Sequence, residues 1–447
     1  MDHLDLRQRI TDVLPSVRRD LEALVRIPSV SALPAHAEDV RRSAEATADL
    51  FRAEGFEVEL LTVEGGAPAV VATKPAPEGA PTVLLYAHHD VQPVGNPDDW
   101  HSDPFEPTER GMRLYARGAA DDKAGIAAHL AAVRAFGDEL PVGVTVFVEG
   151  EEEIGSPTLE AFLAEHRDRL AADVIVIADS ANWDIGVPAL TTSLRGLIDC
   201  VVEVRTLEHG VHSGMWGGIV PDALTALARL LATLHDDQGN VAVQGLLSTE
   251  AADVDYPEER IRAEAGVADG VQLFGEGSAV ERLWTKPALA VIGLDATRVD
   301  DASNTLIPAA RAKISVRVAP GDTTDNAMTC LTRHLQGHAP WGAQVTVTEG
   351  DRGEPTRIDA VGPAYDAARS AFEEAWDGTP PVDMGVGGSI PFIAAFKEAF
   401  PEASVLVTGV EDPDTRAHGA NEGLHLTEFA RVCLAEAFLL RNLVTGT

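Results

Sequence analysis

The chain has 447 residues, too many for one ordinary hydrophobic core, so two or three domains are expected. Its net charge of -36 excludes nucleic acid and anionic membrane as natural partners, because both need a basic surface. The three cysteines, Cys200, Cys330 and Cys433, are far apart and show no CxxC spacing, which excludes a disulfide framework and a thiolate zinc site.

Residues 5–26 and 39–54 carry apolar side chains at helical spacing. The first of these reads as an amphipathic helix, not a signal peptide, and no run is long enough to span a membrane, so the cytoplasm is the expected location. Strand-like runs follow in "FEVELLTV", "AVVATK" and "TVLLYAH". Then "DKAGIAAHLAAVRAF" reads as helix, "VGVTVFVEG" as strand, "TLEAFLAEH" as helix and "DVIVIADS" as strand. This alternation predicts an α/β fold, a sheet with helices on both faces.

From about Leu194 the texture changes to long alternating strands, "LRGLIDCVVEVRT", "AARAKISVRVAP" and "AQVTVTEG", around a helix-like "GIVPDALTALARLLATLHD". We read residues 194–353 as a smaller α+β domain inserted into the first. The chain returns to helix, strand and helix near residue 355, so residues 1–193 and 354–447 form one discontinuous domain.

Three predicted strands end in acid or histidine. The first ends in His88-His89-Asp90, the second in Glu149-Gly150-Glu151-Glu152-Glu153, the third in Asp179. In open α/β sheets, function collects beyond the strand ends, so the three clusters are expected to converge. His88 and Asp90, two apart, share a face, whereas His89 points elsewhere. His88 then suits a metal ligand, with Asp90 orienting its ring. Alone, His-x-Asp is more often a polar turn. Asp121 and Asp122 precede a helix, and helix capping explains one of them; Asp121 has two oxygens with which to bridge two metals. A run of glutamates is ordinarily a solvated acidic loop, but a dinuclear cation site gives that charge something to bind. One glutamate then binds metal and its neighbour handles a proton. Asp179 adds an oxygen ligand. His418 lies in a polar loop, where a histidine is usually just a surface residue. Together they form a two-His, three-carboxylate set that suits zinc, with manganese or cobalt as other choices.

His88-x-Asp90, Asp121, Glu152-Glu153-x-Gly-Ser, Asp179 and a distant His418, in this order, resemble the co-catalytic dizinc peptidases and deacylases. That family includes carnosine dipeptidases, carboxypeptidase G, aminoacylase, and the acetylornithine and succinyl-diaminopimelate deacylases. "HHDVQPV", "RGAADDKAG", "EGEEEIGS", "HSGMWGG" and "SVRVAPG" most resemble the carnosine-dipeptidase-like branch. The resemblance implies two zinc ions per subunit, one held by His88, Asp121 and Asp179, the other by Asp121, Glu153 and His418. It makes Glu152 the general base that activates the water between them, and implies a cis peptide after Asp121. The inserted domain becomes a lid through which a homodimer forms. His212 is then the oxyanion donor, reaching the partner subunit's site, and Arg317 grips the substrate's terminal carboxylate. Asn304, Gly388 and Ser389 are implied to touch substrate. One departure is visible: members of this branch carry Arg-Glu before the Gly-Gly-Ser, where this chain has Gly385-Val386. Carnosine specificity is therefore not carried over. The expected activity is hydrolysis of dipeptides or short peptides with a free C-terminal carboxylate. The alternatives are an N-acyl amino acid deacylase with the same centre, and a non-catalytic metal- or peptide-binding relative.

Overall fold

A computed structural model describes residues 3–250, 254–388 and 391–445. The chain divides into two compact units. The first runs to Thr192 and resumes over Ile358–Met384 and from Pro391; the second comprises Ser193–Arg357 and a short stretch from Gly385. The return expected near residue 355 therefore falls at Ile358, and the chain visits the second unit once more at Gly385.

The first unit is built on a six-stranded mixed sheet. In spatial order its strands are Glu57–Leu61, Ala69–Lys74, Gly143–Glu149, Thr82–His88, Val174–Ile177 and Ser404–Val407. The first three neighbour pairs include two antiparallel pairings, whereas Gly143–Glu149, Thr82–His88, Val174–Ile177 and Ser404–Val407 run parallel. Six of the seven residues of Thr82–His88 are buried, which is why this strand reads as a continuous apolar run: both of its faces are covered. On one side Tyr86 and Phe147 meet Phe396, with Phe392 against Tyr86 and Phe162 stacked on Phe147. Helices His3–Val25, Lys123–Phe136 and Leu426–Thr445 pack against one another, and Lys123–Phe136 also contacts the strand Thr82–His88.

Two glycines are fixed by close approach. A Cβ on Gly125 would fall 2.3 Å from the Asp122 carboxylate, and one on Gly409 would fall 1.6 Å from the Ser180 carbonyl oxygen.

The second unit holds a four-stranded antiparallel sheet, ordered Ala288–Asp295, Ala309–Val318, Gly196–Arg205 and Gln344–Gly353. Alternate residues Ile198, Cys200, Val202 and Val204 pair with Ile314, Val316 and their neighbours in a core shared with Leu227, Leu230 and Leu331. The helix expected over 218–236 is only Ala223–Ala232, because Pro221 precedes a true cap: the Asp222 carboxylate accepts the N–H groups of Leu224 and Thr225. The strand Ala288–Asp295 and the helices Glu258–Ala265 and Pro391–Ala399 were not anticipated. Among the described residues no helix is long and apolar enough to cross a membrane.

Leu227 is fully buried in the second unit's core. Leu227→Ala is expected to destabilise that unit by about 2–5 kcal/mol. Native-state hydrogen exchange should show Gly196–Arg205 and Ala309–Val318 losing protection while Thr82–His88 keeps its own; equal loss would mean that the units unfold together.

Candidate metal centre

Three neighbouring parallel strands bring the chemistry to one sheet edge. His88 ends the strand Thr82–His88; Glu152 and Glu153 lie in a 3-10 turn just past Gly143–Glu149; Asp179 lies two residues past Val174–Ile177. His88 Nε2 lies 3.1 Å from Asp121 Oδ1 and 3.8 Å from Asp179 Oδ1. The other oxygen of Asp121 lies 3.1 Å from His418 Nε2, which is 3.3 Å from Glu153 Oε2. Each Asp121 oxygen thus meets a different histidine. Two sets of side chains, His88 with Glu152 and Asp179, and His88 with Asp121 and Glu153, have ligand atoms close enough to share a cation.

The two glutamates differ in how they are held. Glu153 accepts the backbone N–H of Gln92 at 3.0 Å and its side-chain amide at 2.8 Å. Among the described residues the Glu152 carboxylate accepts no hydrogen bond, and one of its oxygens lies near His88 and Asp179.

Charge is crowded here. Burial, then Asp179 and Glu153, push the Glu152 carboxyl up to about 9. Glu153 is also raised, chiefly by burial. The His418 ring is pushed up to about 11 by its contacts with Asp121 and Glu153. Burial disfavours the charged form of His88, yet Asp121, Asp179 and Asp90 outweigh it and hold the ring well above its ordinary range. Divalent cations reverse this balance, since they favour neutral imidazole and ionised carboxylate. The donor set of imidazole nitrogens and carboxylate oxygens fits zinc, manganese or cobalt.

The supporting contacts are mostly neutral donors. Asp90 is fully buried, and its oxygens accept the backbone N–H groups of Glu152 (3.3 Å) and Glu153 (3.1 Å). His88 Nδ1 lies 3.1 Å from the Asp90 carbonyl and 3.4 Å from its carboxylate, so Asp90 serves the histidine and the glutamate turn together. The peptide joining Asp121 to Asp122 is cis. Asp122 stands where a helix cap would, but its carboxylate accepts the N–H of His88 instead. His89 points away: its Nε2 meets the Pro68 carbonyl at 2.9 Å, and burial lowers its pKa to about 4. Lys123 is also turned from the cluster, donating to the carbonyls of Leu24 and Ile27.

Sequence reasoning missed Glu422. It is fully buried, and its carboxylate accepts N–H groups from Gly118, Ala120 and Asp121 together with Arg117 Nη1. Arg117 in turn donates to the carbonyls of Gly419 and Pro93. One ion pair therefore ties the Asp121 loop to the loop that carries His418. That loop is strained, with Arg416, His418 and Asn421 all at positive φ, a conformation that persists only where surroundings dictate it. Asn421 anchors it further, accepting the N–H of His101 and donating to the Asp99 carbonyl.

The remaining expected residues lie in the second unit. His212 is exposed, on a two-residue strand paired with Thr305–Leu306, and the N–H of Ser213 donates to the Asn304 carbonyl, so His212 and Asn304 are neighbours. Arg317 is half-buried on Ala309–Val318. Gly388 faces open space, and Ser389 lies outside the described residues.

Comparison with known proteins places this geometry in context. The sequence profile described as "Peptidase family M20/M25/M40" matches residues 84–442. The chain is 35% identical over 429 residues to a cysteinylglycine-S-conjugate dipeptidase of Corynebacterium striatum, covering 94% of each chain. It is 30% identical over 383 residues to the Beta-Ala-His dipeptidase of Homo sapiens, covering 80% of this chain and 74% of that one. The crystal structure of human carnosine dipeptidase 1 superposes with a TM-score of 0.79 at 26% identity, covering 98% of both chains.

His88→Ala is expected to lower metal content sharply, measured by elemental analysis, whereas His89→Ala is expected to be far milder; equal loss would contradict the geometry. Glu422→Gln should weaken metal binding by roughly 10–100-fold through the Asp121 and His418 loops. Unchanged metal affinity in a folded variant would reduce the Glu422–Arg117 pair to a local brace.

Proposed function

The chain belongs to peptidase family M20/M25/M40, and on that premise we propose a dinuclear centre in which His88, Asp121 and Asp179 hold one cation and Asp121, Glu153 and His418 the other. The protein is a metallodipeptidase, hydrolysing dipeptides. The observation that carries the proposal is the Asp121 carboxylate, with one oxygen 3.1 Å from each of two histidines. Zinc is the proposed metal, with manganese and cobalt compatible with the same donors.

A bound cation pair supplies Lewis acidity, polarising the scissile carbonyl and making water easier to deprotonate. Glu152 takes that proton and returns it to the leaving amine. Its lack of a hydrogen-bond partner among the described residues supports this role, because its oxygens remain available to a proton, whereas Glu153 is held by Gln92. Asp90 keeps the His88 ring and the glutamate turn in register. Arg317 reads the free carboxylate of the C-terminal residue through its planar donor fork.

His212 is proposed to donate to the oxyanion in the partner subunit's site of a homodimer formed through the second unit, the lid. Two apolar surfaces support an assembly. Met215, Trp216 and Ile219, beside His212, are exposed. So are Val291, Ile292 and Leu294 on Ala288–Asp295, an edge strand with one side unpaired. A reducing, cytoplasmic setting is consistent with three buried cysteines that remain free.

The direct test is hydrolysis of a dipeptide panel by the purified protein with zinc, manganese or cobalt. N-acyl amino acids serve as the comparison. Release of two amino acids is expected; faster release of the acyl acid would favour a deacylase. Glu152→Gln should keep both metals and lose activity by at least about 10²-fold. Loss of metal instead would exchange the roles of Glu152 and Glu153.

Subunit mixing tests His212. Inactive Glu152→Gln and inactive His212→Ala proteins, once exchanged into mixed dimers, should recover part of the activity, because one site then carries neither defect. Exchange demonstrated without recovery would place His212 in its own subunit's site or outside the reaction.

A further inference from the structure

The second unit contains a cavity of about 430 Å³, within the range of small-molecule sites. It lies where the turn at His235–Val241 meets the helix Glu258–Ala265, the turn Glu281–Thr285 and the start of the strand Ala288–Asp295. Its apolar wall includes Val241, Ile261, Phe274 and Leu283. Its charged lining is cationic: Arg195, Arg282 and Lys286. No aspartate or glutamate is among the described residues that line it, in a chain with 71 acidic and 35 basic residues.

Arg195 is the unusual member. It is 7% exposed, and among the described residues its side chain donates only from Nη1, to the carbonyls of Arg282 (3.3 Å) and Lys286 (3.5 Å). Its Nε is buried without a partner. Arg282 likewise donates only to carbonyls, those of Phe274 and Ser278, whereas Lys286 has Glu281 at 3.5 Å and the Glu276 carbonyl. A buried guanidinium without a carboxylate is costly, and the sheet makes it more so. Arg317 stands opposite Leu197 on the neighbouring strand, two residues along from Arg195, and adds a second positive charge close by. Burial, and then Arg317, lower the Arg195 pKa to about 10. Tying down the turn at 281–285 accounts for Nη1 but leaves Nε unexplained.

We propose that this cavity binds a small organic carboxylate with an apolar body, its anionic end on Arg195 and its body against Phe274 and Leu283. The site is separate in sequence and chemistry from the metal centre, and it does not depend on the assignment of the dipeptide site.

The test is calorimetric titration of the metal-loaded enzyme with phenylbutyrate and with its uncharged analogue, phenylbutyramide. The carboxylate should bind at least about tenfold more tightly, as a charge-assisted contact to a buried arginine predicts. Arg195→Met should bring the two affinities together. Ala279→Trp, which fills the cavity from its own wall, should abolish both. Arg317→Met, which removes a neighbouring positive charge, should still bind phenylbutyrate and keep the preference for acid over amide. Equal affinity for acid and amide in the parent, or parental binding in Ala279→Trp, overturns the proposal. So does binding lost in Arg317→Met but kept in Ala279→Trp, which would mean the probe reads the proposed substrate grip. If Arg195→Met does not fold, the acid–amide comparison and Ala279→Trp decide the matter without it.

Discussion

The structure depends on holding several carboxylates within a few ångströms of one another where water is scarce. Unaided, such a group repels itself and takes up protons, as the raised Glu152 and Glu153 carboxyls show. The chain answers with neutral donors in preference to countercharges. Backbone N–H groups hold Asp90, Gln92 holds Glu153, and three N–H groups of one loop with one arginine hold Glu422. Neutral donors fix position without cancelling charge, so the cluster keeps its attraction for cations. A lysine among the same oxygens would remove it, and the neighbouring Lys123 is turned to carbonyls elsewhere.

Much of the first unit was legible because its parallel strands are covered on both faces and appear as short apolar runs ending abruptly in polar residues. Those endings alone pointed to His88, to Asp179 and to the glutamate run, from which only the family resemblance chose Glu152 and Glu153. His418 could not: it stands in a loop with no apolar pattern, and only the order of motifs pointed to it. Glu422 was invisible for a related reason. Its partners are about 300 positions away in sequence, and nothing in "GANEGLH" separates a buried clamp from a solvated turn.

The second unit was harder to read. Ala288–Asp295 was missed because Val291, Ile292 and Leu294 are exposed in near succession, which breaks the alternation of a half-buried strand. Arg195 fell within the run read as a strand, and nothing in that run marked it as buried. Its burial arises from the segment around residues 258–286, which carries little periodic signal.

The discontinuity of the first unit bears on how the protein is made. The sheet's last strand is Ser404–Val407, the His418 loop follows it, and the helix Leu426–Thr445 packs against the first helix of the chain. During synthesis most of the second unit, Ser193–Arg357, precedes all of these. The cluster residues from His88 to Asp179 are made before the strand, the loop and the helix that complete the first unit. Because His418 meets Asp121 and Glu153 across this interval, the cluster closes only once the sheet's last strand and the loop after it are in place, and cation binding by the whole cluster follows that step.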